Sequence, residues 1–239
     1  MKSIEVSTTP EMVAMHEVAG KIVVVADIYR ATSCTVAGLG TGVAEIRPVA
    51  QVEEAFTWQQ QGYLAAGERN GIQVEGFDMG NSPFEFMRPE VKGRKIVMTT
   101  TNGTKAIHLS KGAGQIICGA FLNLGVTARY LVSQPRDLLV VCAGWKGRFS
   151  LEDHLYAGAL VTKLQSLNSS LAMCDAAKAC TSLYQSLGEG VEGFIQSSSH
   201  AERLRKIGVV EDLPYCLQQD VFPVIPVLDG DRLIPFYPM

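Results

Sequence analysis

The sequence lacks any C-x-x-C pair: its six cysteines, Cys34, Cys118, Cys142, Cys174, Cys180 and Cys216, stand apart, several of them in apolar runs. Cysteines so placed read as free thiols, which fit a reducing cytoplasm. The four histidines, His16, His108, His154 and His200, show no H-E-x-x-H or other zinc spacing, which argues against a histidine-ligated metal enzyme. Nor is there a run of five like charges. The 21 basic and 24 acidic residues are interspersed and leave a net charge of −3, so nucleic acid and anionic membranes are poor partners. No stretch approaches the roughly 18 apolar residues of a membrane span, and a start carrying Glu5 and Glu11 has no secretory-signal core. A Walker A loop is absent as well. The triple glycine Gly38, Gly40 and Gly42 follows a helical pattern rather than a strand, which speaks against a dinucleotide site.

What is present is an alternation. Short β-branched runs are predicted as strands at 22–26, 44–49, 63–66, 95–98, 115–118, 138–142 and 224–228. Amphipathic segments are predicted as helices at 32–39, 52–61, 104–111, 124–133, 151–167, 175–187 and 200–207. Alternation of this kind means an α/β fold, three layers α/β/α, with a largely parallel or mixed sheet. Ile22-Val23-Val24-Val25 and Leu138-Leu139-Val140-Val141 are apolar at consecutive positions, as strands buried on both faces are. Between 168 and 221 the strands stop and helices follow one another, a helix-rich C-terminal part of one 239-residue α/β domain, or a helical subdomain of it. The PVIPVLDGDRLIP segment reads as a final strand pair turning at Asp229-Gly230. Apolar segments near the C-terminus suggest a homodimer surface.

In open α/β sheets ligands collect beyond the carboxyl ends of strands. Four segments stand there. Residues 23–34 run from an apolar strand into Asp27, Arg30 and Thr32. Residues 65–83 form a long loop carrying Glu68, Arg69, Asn70, Asp78, Asn81 and Ser82, with Ile72, Val74, Phe77 and Met79 as anchors. Residues 95–107 place Thr100, Thr101, Asn102 and Gly103 before a helix, a cradle for phosphate, carboxylate or sulfonate oxygens. Residues 138–153 open from a buried strand into Gly144, Lys146, Gly147 and Arg148.

Plainer readings stand beside these. Asp27 has only a helix cap as an alternative duty, and Thr99–Asn102 has an ordinary turn and N-cap. Ser150-x-x-Asp153 reads as a capping box. Arg30 and Arg69 have structural ion pairs with Asp27 and Glu68 as their alternative. Cys142 reads as a small buried hydrophobe and His200 as a solvated or capping helix-start residue.

The motifs DIYRAT from Asp27, GER from Gly67, GFDMGNSP from Gly76, TTTNGT from Thr99 and CAGWKGRFSLED from Cys142 stand in this order, with a Ser198–His200 and Asp220–Pro226 tail. In these the chain resembles the 2-phosphosulfolactate phosphatase family over nearly its whole length. Ile28, Tyr29 and Ser33 are small departures, and Asn70 stands where glycine is common. The resemblance implies Mg²⁺-dependent hydrolysis of 2-phospho-3-sulfolactate to 3-sulfolactate and phosphate, a step that in some organisms leads to coenzyme M. Asp27, Arg30 and Glu68 are then the catalytic candidates. Asp27, Glu68 and, third, Asp78 are the candidate Mg²⁺ ligands, Asp27 having a rival role as a phosphorylated nucleophile. Arg30, Arg69, Lys146 and Arg148 would supply the positive charge that a small, multiply anionic phosphorylated acid requires. Another phosphorylated hydroxy acid as substrate, or a non-catalytic anion-binding protein, are the alternatives.

Overall fold

The computed structural model describes residues 3–238. Eleven strands share one sheet: β1 (Ser3–Ser7), β2 (Ile22–Ala26), β3 (Glu45–Pro48), β4 (Leu64–Arg69), β5 (Ile72–Gln73), β6 (Lys95–Thr99), β7 (Gln115–Gly119), β8 (Leu138–Cys142), β9 (Ala172–Met173), β10 (Ile225–Asp229) and β11 (Arg232–Phe236). Their order is β5-β4-β6-β3-β11-β10-β7-β2-β8-β1-β9. Helices α1 (Ala31–Thr41), α2 (Val52–Gln59), α3 (Pro83–Phe86), α4 (Gly103–Leu109), α5 (Leu124–Val132), α6 (Leu151–Leu167), α7 (Asp175–Leu187), α8 (Val191–Gln196), α9 (Ser199–Lys206) and α10 (Asp212–Tyr215) cover both sides, so the class is α/β.

The sheet consists of two parallel blocks joined by an antiparallel hairpin. Within one block β4, β6 and β3 run parallel, and within the other β7, β2, β8, β1 and β9 do. β10 and β11 stand between them, antiparallel to each other, to β7 and to β3. Three antiparallel steps reverse strand sense from β3 to β7. Carboxyl ends from both blocks can therefore share a cavity only if the sheet bends at the hairpin. Each junction there is a single bridge, Leu233↔Ile46 on one side and Val227↔Ile117 on the other.

The all-apolar runs behave as expected: β2 and β8 are buried at every position. Strands and helices stand within a few residues of where hydrophobic patterning puts them, and β8, α6 and α7 match to the residue. The expectation that strands stop between 168 and 221 is corrected. Ala172 and Met173 pair in parallel with Ser3 and Ile4, and a two-residue strand carries too little pattern to be read. β1 was also unread, because SIEVS alternates buried and half-buried positions around Glu5 instead of showing an apolar run. Of the apolar C-terminal residues, Val224, Ile225 and Leu233 are consumed by the sheet, while Phe236 and Tyr237 remain exposed.

The triple glycine has a packing explanation. A Cβ on Gly38 would stand 3.0 Å from Phe86 Cδ1, and one on Gly40 2.5 Å from Phe222 Cδ1, so two aromatic rings lie flush on α1. Gly42 ends the helix at φ 107, its N–H returned to the carbonyls of Gly38 and Leu39.

α6 and α7 cross at the closest approach in the helical part. A Cβ on Gly158 would stand 2.3 Å from the Cys180 carbonyl oxygen, which is backbone and cannot swing aside. Gly158→Ala is expected to cost about 1–3 kcal/mol by overpacking. Thermal unfolding should show a Tm lower by about 2–4 °C for each kcal/mol lost; an unchanged Tm would mean that the helices separate freely.

Candidate active site

Asp27 follows the last residue of β2 and is buried. Thr32 fixes the turn beneath it: its Oγ1 donates to the Asp27 carbonyl at 2.9 Å and accepts from the Asp27 N–H at 3.0 Å. The Ala31 N–H reaches Asp27 Oδ1 at 3.4 Å. Burial pushes the Asp27 carboxyl up to about 7; His200 opposes that rise, and the Glu68 and Glu152 charges add to it.

Asp153 ties this turn to the loop after β8. Its Oδ1 accepts from the Ile28 N–H at 2.8 Å and its Oδ2 from the Gly144 N–H at 3.0 Å. The capping-box reading of Ser150 and Asp153 is thereby corrected: Ser150 stands at the N-cap of α6 without a side-chain cap bond, and Asp153 is spent on two loops. Glu68 does the same work at the end of β4. Oε2 accepts from the Gly71 N–H at 2.6 Å and Oε1 from the Thr101 N–H at 2.8 Å, joining the 65–83 loop to the turn after β6.

Arg30 is buried and pairs with Asp212 Oδ2 at 2.5 Å, not with Asp27. Asp212 Oδ1 accepts from Ser82 Oγ at 2.8 Å, so α10 anchors both residues. Arg69 likewise makes no pair with the Glu68 carboxylate; it donates to the Glu68 carbonyl at 2.8 Å and to Thr99 Oγ1 at 3.0 Å. Asn70 sits at φ 56, a backbone region that glycine favours and asparagine tolerates. Its Oδ1 accepts from Lys146 Nζ at 2.8 Å, while the Lys146 N–H donates to Asn102 Oδ1 at 3.0 Å. The loops after β4, β6 and β8 are thus laced together.

These ties surround one cavity of about 260 Å³. Of the residues expected from sequence, Asp27, Arg30, Glu68, Asn70, Asn81 and Thr100 to Asn102 line it. Thr32, Arg69, Ser82 and Lys146 stand behind these as braces. Gly103 lies against Asp27, where a Cβ would stand 2.8 Å from Oδ2. Arg148 contributes a backbone bridge to Trp145 and no lining. Asp78 is held elsewhere: its Oδ2 accepts from the Ala65 N–H and from Gln59 Nε2, both at 2.8 Å, so it braces β4 away from the cavity.

Sequence reasoning missed the wall formed by α9. His200, Arg203, Leu204 and Ile207 recur at helical spacing and line the cavity with Lys206, Tyr29 and Trp145. The guanidinium of Arg203 lies 4.1 Å from the Trp145 ring. The signal was a cationic helix face following a histidine, which reads as a solvated face until Trp145 is known to lie across from it.

Three cationic residues, Arg30, Arg203 and Lys206, face two carboxylates, Asp27 and Glu68, in this cavity. Tyr29 Oη, Asn81 Oδ1 and Thr101 Oγ1 line it without a protein hydrogen-bond partner, and buried polar atoms of this kind call for a polar guest. The arrangement suits an anion with several oxygens. Among the described residues no three His, Cys, Asp or Glu side chains cluster as a metal site. Mg²⁺ needs only one or two carboxylates beside waters and phosphate oxygens, and the Asp27–Glu68 pair, in which Glu68's charge raises Asp27, fits that demand.

A family model described as 2-phosphosulpholactate phosphatase matches residues 7–231. A protein of Caldanaerobacter subterraneus subsp. tengcongensis named "Probable 2-phosphosulfolactate phosphatase" is 40% identical over 212 residues, 87% of this chain and 88% of its own. One of that name from Thermotoga petrophila is 42% identical over 205 residues, 86% and 88% of the two chains. Another, from Clostridium perfringens, is 34% identical over 228 residues, 93% and 92%.

Truncating Asp212 would strand the buried Arg30 guanidinium. Asp212→Ala is expected to lower stability by about 3–5 kcal/mol, the usual cost of leaving one partner of a buried ion pair alone. Urea unfolding measures it, and a loss under about 1 kcal/mol would mean that Arg30 is solvated instead of held.

Proposed function

The chain belongs to the 2-phosphosulpholactate phosphatase family, and on that footing we propose that it hydrolyses 2-phospho-3-sulfolactate to 3-sulfolactate and phosphate in a Mg²⁺-dependent reaction. The observation that carries this reading is the cavity in which a buried carboxylate pair faces Arg30, Arg203 and Lys206. A substrate with phosphate, sulfonate and carboxylate groups brings more negative charge than an overall acidic protein tolerates without such a wall.

Two of the three cations are held before substrate arrives. Asp212 fixes Arg30, and Trp145 carries Arg203. Charge already in place needs no reorganisation as the transition state forms, which is where electrostatic catalysis is strongest. Phosphate monoesters hydrolyse so slowly in water that enhancements up to about 10²¹ are asked of their enzymes. The free hydroxyls of Tyr29 and Thr101 donate to the oxygens of the guest, whereas Asn81 Oδ1 can only accept from a proton donor.

Mg²⁺, held by Asp27 and Glu68, would act as a Lewis acid on the phosphate oxygens. Glu68 can still ligate, since a carboxylate oxygen that accepts one N–H keeps a second lone pair. Asp27 serves either as that ligand or as the nucleophile that carries the phosphoryl group. Both roles require the ionised carboxylate, which burial disfavours and the His200 charge favours in part.

Phosphate release from 2-phosphosulfolactate and a panel of phosphorylated hydroxy acids, with Mg²⁺ and after chelation, tests the proposal. Turnover that disappears with EDTA and returns with Mg²⁺ is expected. Asp27→Asn should abolish turnover while leaving Tm unchanged, and rapid quench shows a phosphorylated Asp27 only if it is the nucleophile. Full activity of Asp27→Asn, or turnover indifferent to chelation, would remove the carboxylate pair from the chemistry.

A further inference from the structure

Breaking the P–O bond leaves the electron pair on the oxygen of a 2-hydroxy acid, and an alkoxide is a poor leaving group unless it is protonated as it departs. The residues assigned so far do not provide that proton. Asp27 must be ionised in either of its roles. Both oxygens of Glu68 are occupied by N–H groups. Arg30 and Arg203 are guanidinium groups, which do not give up a proton, and Lys206 is exposed with no partner to aim it among the described residues.

His200 lines the same cavity from the first turn of α9. Its Nδ1 lies 2.6 Å from Oε1 of Glu152, a side chain only 1% exposed in the first turn of α6. With Nδ1 committed to a carboxylate, Nε2 is the nitrogen left to serve the cavity. The ring is fixed on its other sides too. Tyr29 meets it edge-on, with centroids 6.1 Å apart and planes at 78°. Ser198 Oγ caps the helix start by accepting from the Ala201 N–H at 3.1 Å. One turn later Arg203 is pinned over Trp145. Burial draws the Glu152 carboxyl upward, but the hydrogen bond and charge of His200, with contributions from Ser150 and the backbone, together hold it below its ordinary value, so a negative charge stands behind the ring.

Building on the phosphatase reading above, we propose that His200, oriented through Nδ1 by the buried carboxylate of Glu152, is the catalytic acid that protonates the departing oxygen. The imidazolium Nε2–H passes its proton to that oxygen as the P–O bond breaks. The water that finally delivers hydroxyl to phosphorus gives its other proton back to Nε2, so atoms and charge balance over the cycle. Glu152 is a positioning residue: it holds the ring through Nδ1.

The test compares two phosphoryl donors with unlike leaving groups. 2-Phosphosulfolactate and its analogue 2-phospholactate expel an alkoxide, which needs a proton; acetyl phosphate expels a carboxylate, which does not. In His200→Gln, kcat on the alkyl esters is expected to fall by about 10²–10⁴, the span of a lost general acid, while acetyl phosphate turnover changes less than about tenfold. Glu152→Gln should fall on the same side of the comparison by a smaller factor. His200→Ala should regain alkyl-ester turnover on addition of imidazole, which a structural lesion would not, and Tm values report whether each variant folds. Equal losses on both donor types, or unchanged turnover of the alkyl esters, overturns the assignment. A wild-type enzyme that rejects 2-phosphosulfolactate but cleaves 2-phospholactate sinks the substrate reading and leaves the His200 comparison to be read on 2-phospholactate.

Discussion

Three buried carboxyl groups govern this site by a single constraint: a polar oxygen taken out of water calls for a hydrogen bond, and each of these has two oxygens to satisfy. Glu68 spends its pair on Gly71 and Thr101, Asp153 on Ile28 and Gly144, and Asp212 on Arg30 and Ser82. Each side chain thereby binds two stretches of chain that are remote in sequence. The loops beyond β2, β4, β6 and β8 are tied to one another by these bonds, alongside the apolar anchors Ile28, Tyr29, Phe77 and Met79. Asp27 differs from the three. Its backbone is braced by Thr32, yet among the described residues its carboxylate accepts a single long bond, which leaves it the least occupied of the four.

How much of this was legible in the sequence follows from the range of each interaction. β2 and β8 could be read because burial on both faces leaves an uninterrupted apolar run, and α6 and α7 because long helices repeat their pattern many times. β9 has two residues and a partner 169 positions away, Ser3 against Ala172, so nothing local betrays it. The loops that carry the family motifs do meet, and Asp27, Glu68 and the 100–102 turn line one cavity. Asp78, Asp153 and Asp212 show the limit. One acidic letter can signify a ligand, a cap or a clasp, and only the distance to its partners decides which.

The helical stretch after β9 has a similar lesson. It reads as a separate layer because strands thin out, whereas α9 and α10 supply a cavity wall and the anchor of Arg30. Residues that line the cavity and residues that brace them are therefore divided between strand-end loops and a helical cover. The cover brings its own charges to the cavity, and an enzyme built this way can alter what it recognises by changing α9 without disturbing the clasps beneath.

The hairpin of β10 and β11 lies in the middle of the sheet although it is encoded after every strand that it separates. A ribosome therefore releases both parallel blocks before the piece that joins them, and until then β3 and β7 present bare edges to the cell. Such edges invite pairing with other chains. The nascent protein must either keep its two halves loosely organised or rely on chaperones, and the cavity between them takes shape only once the keystone has been inserted.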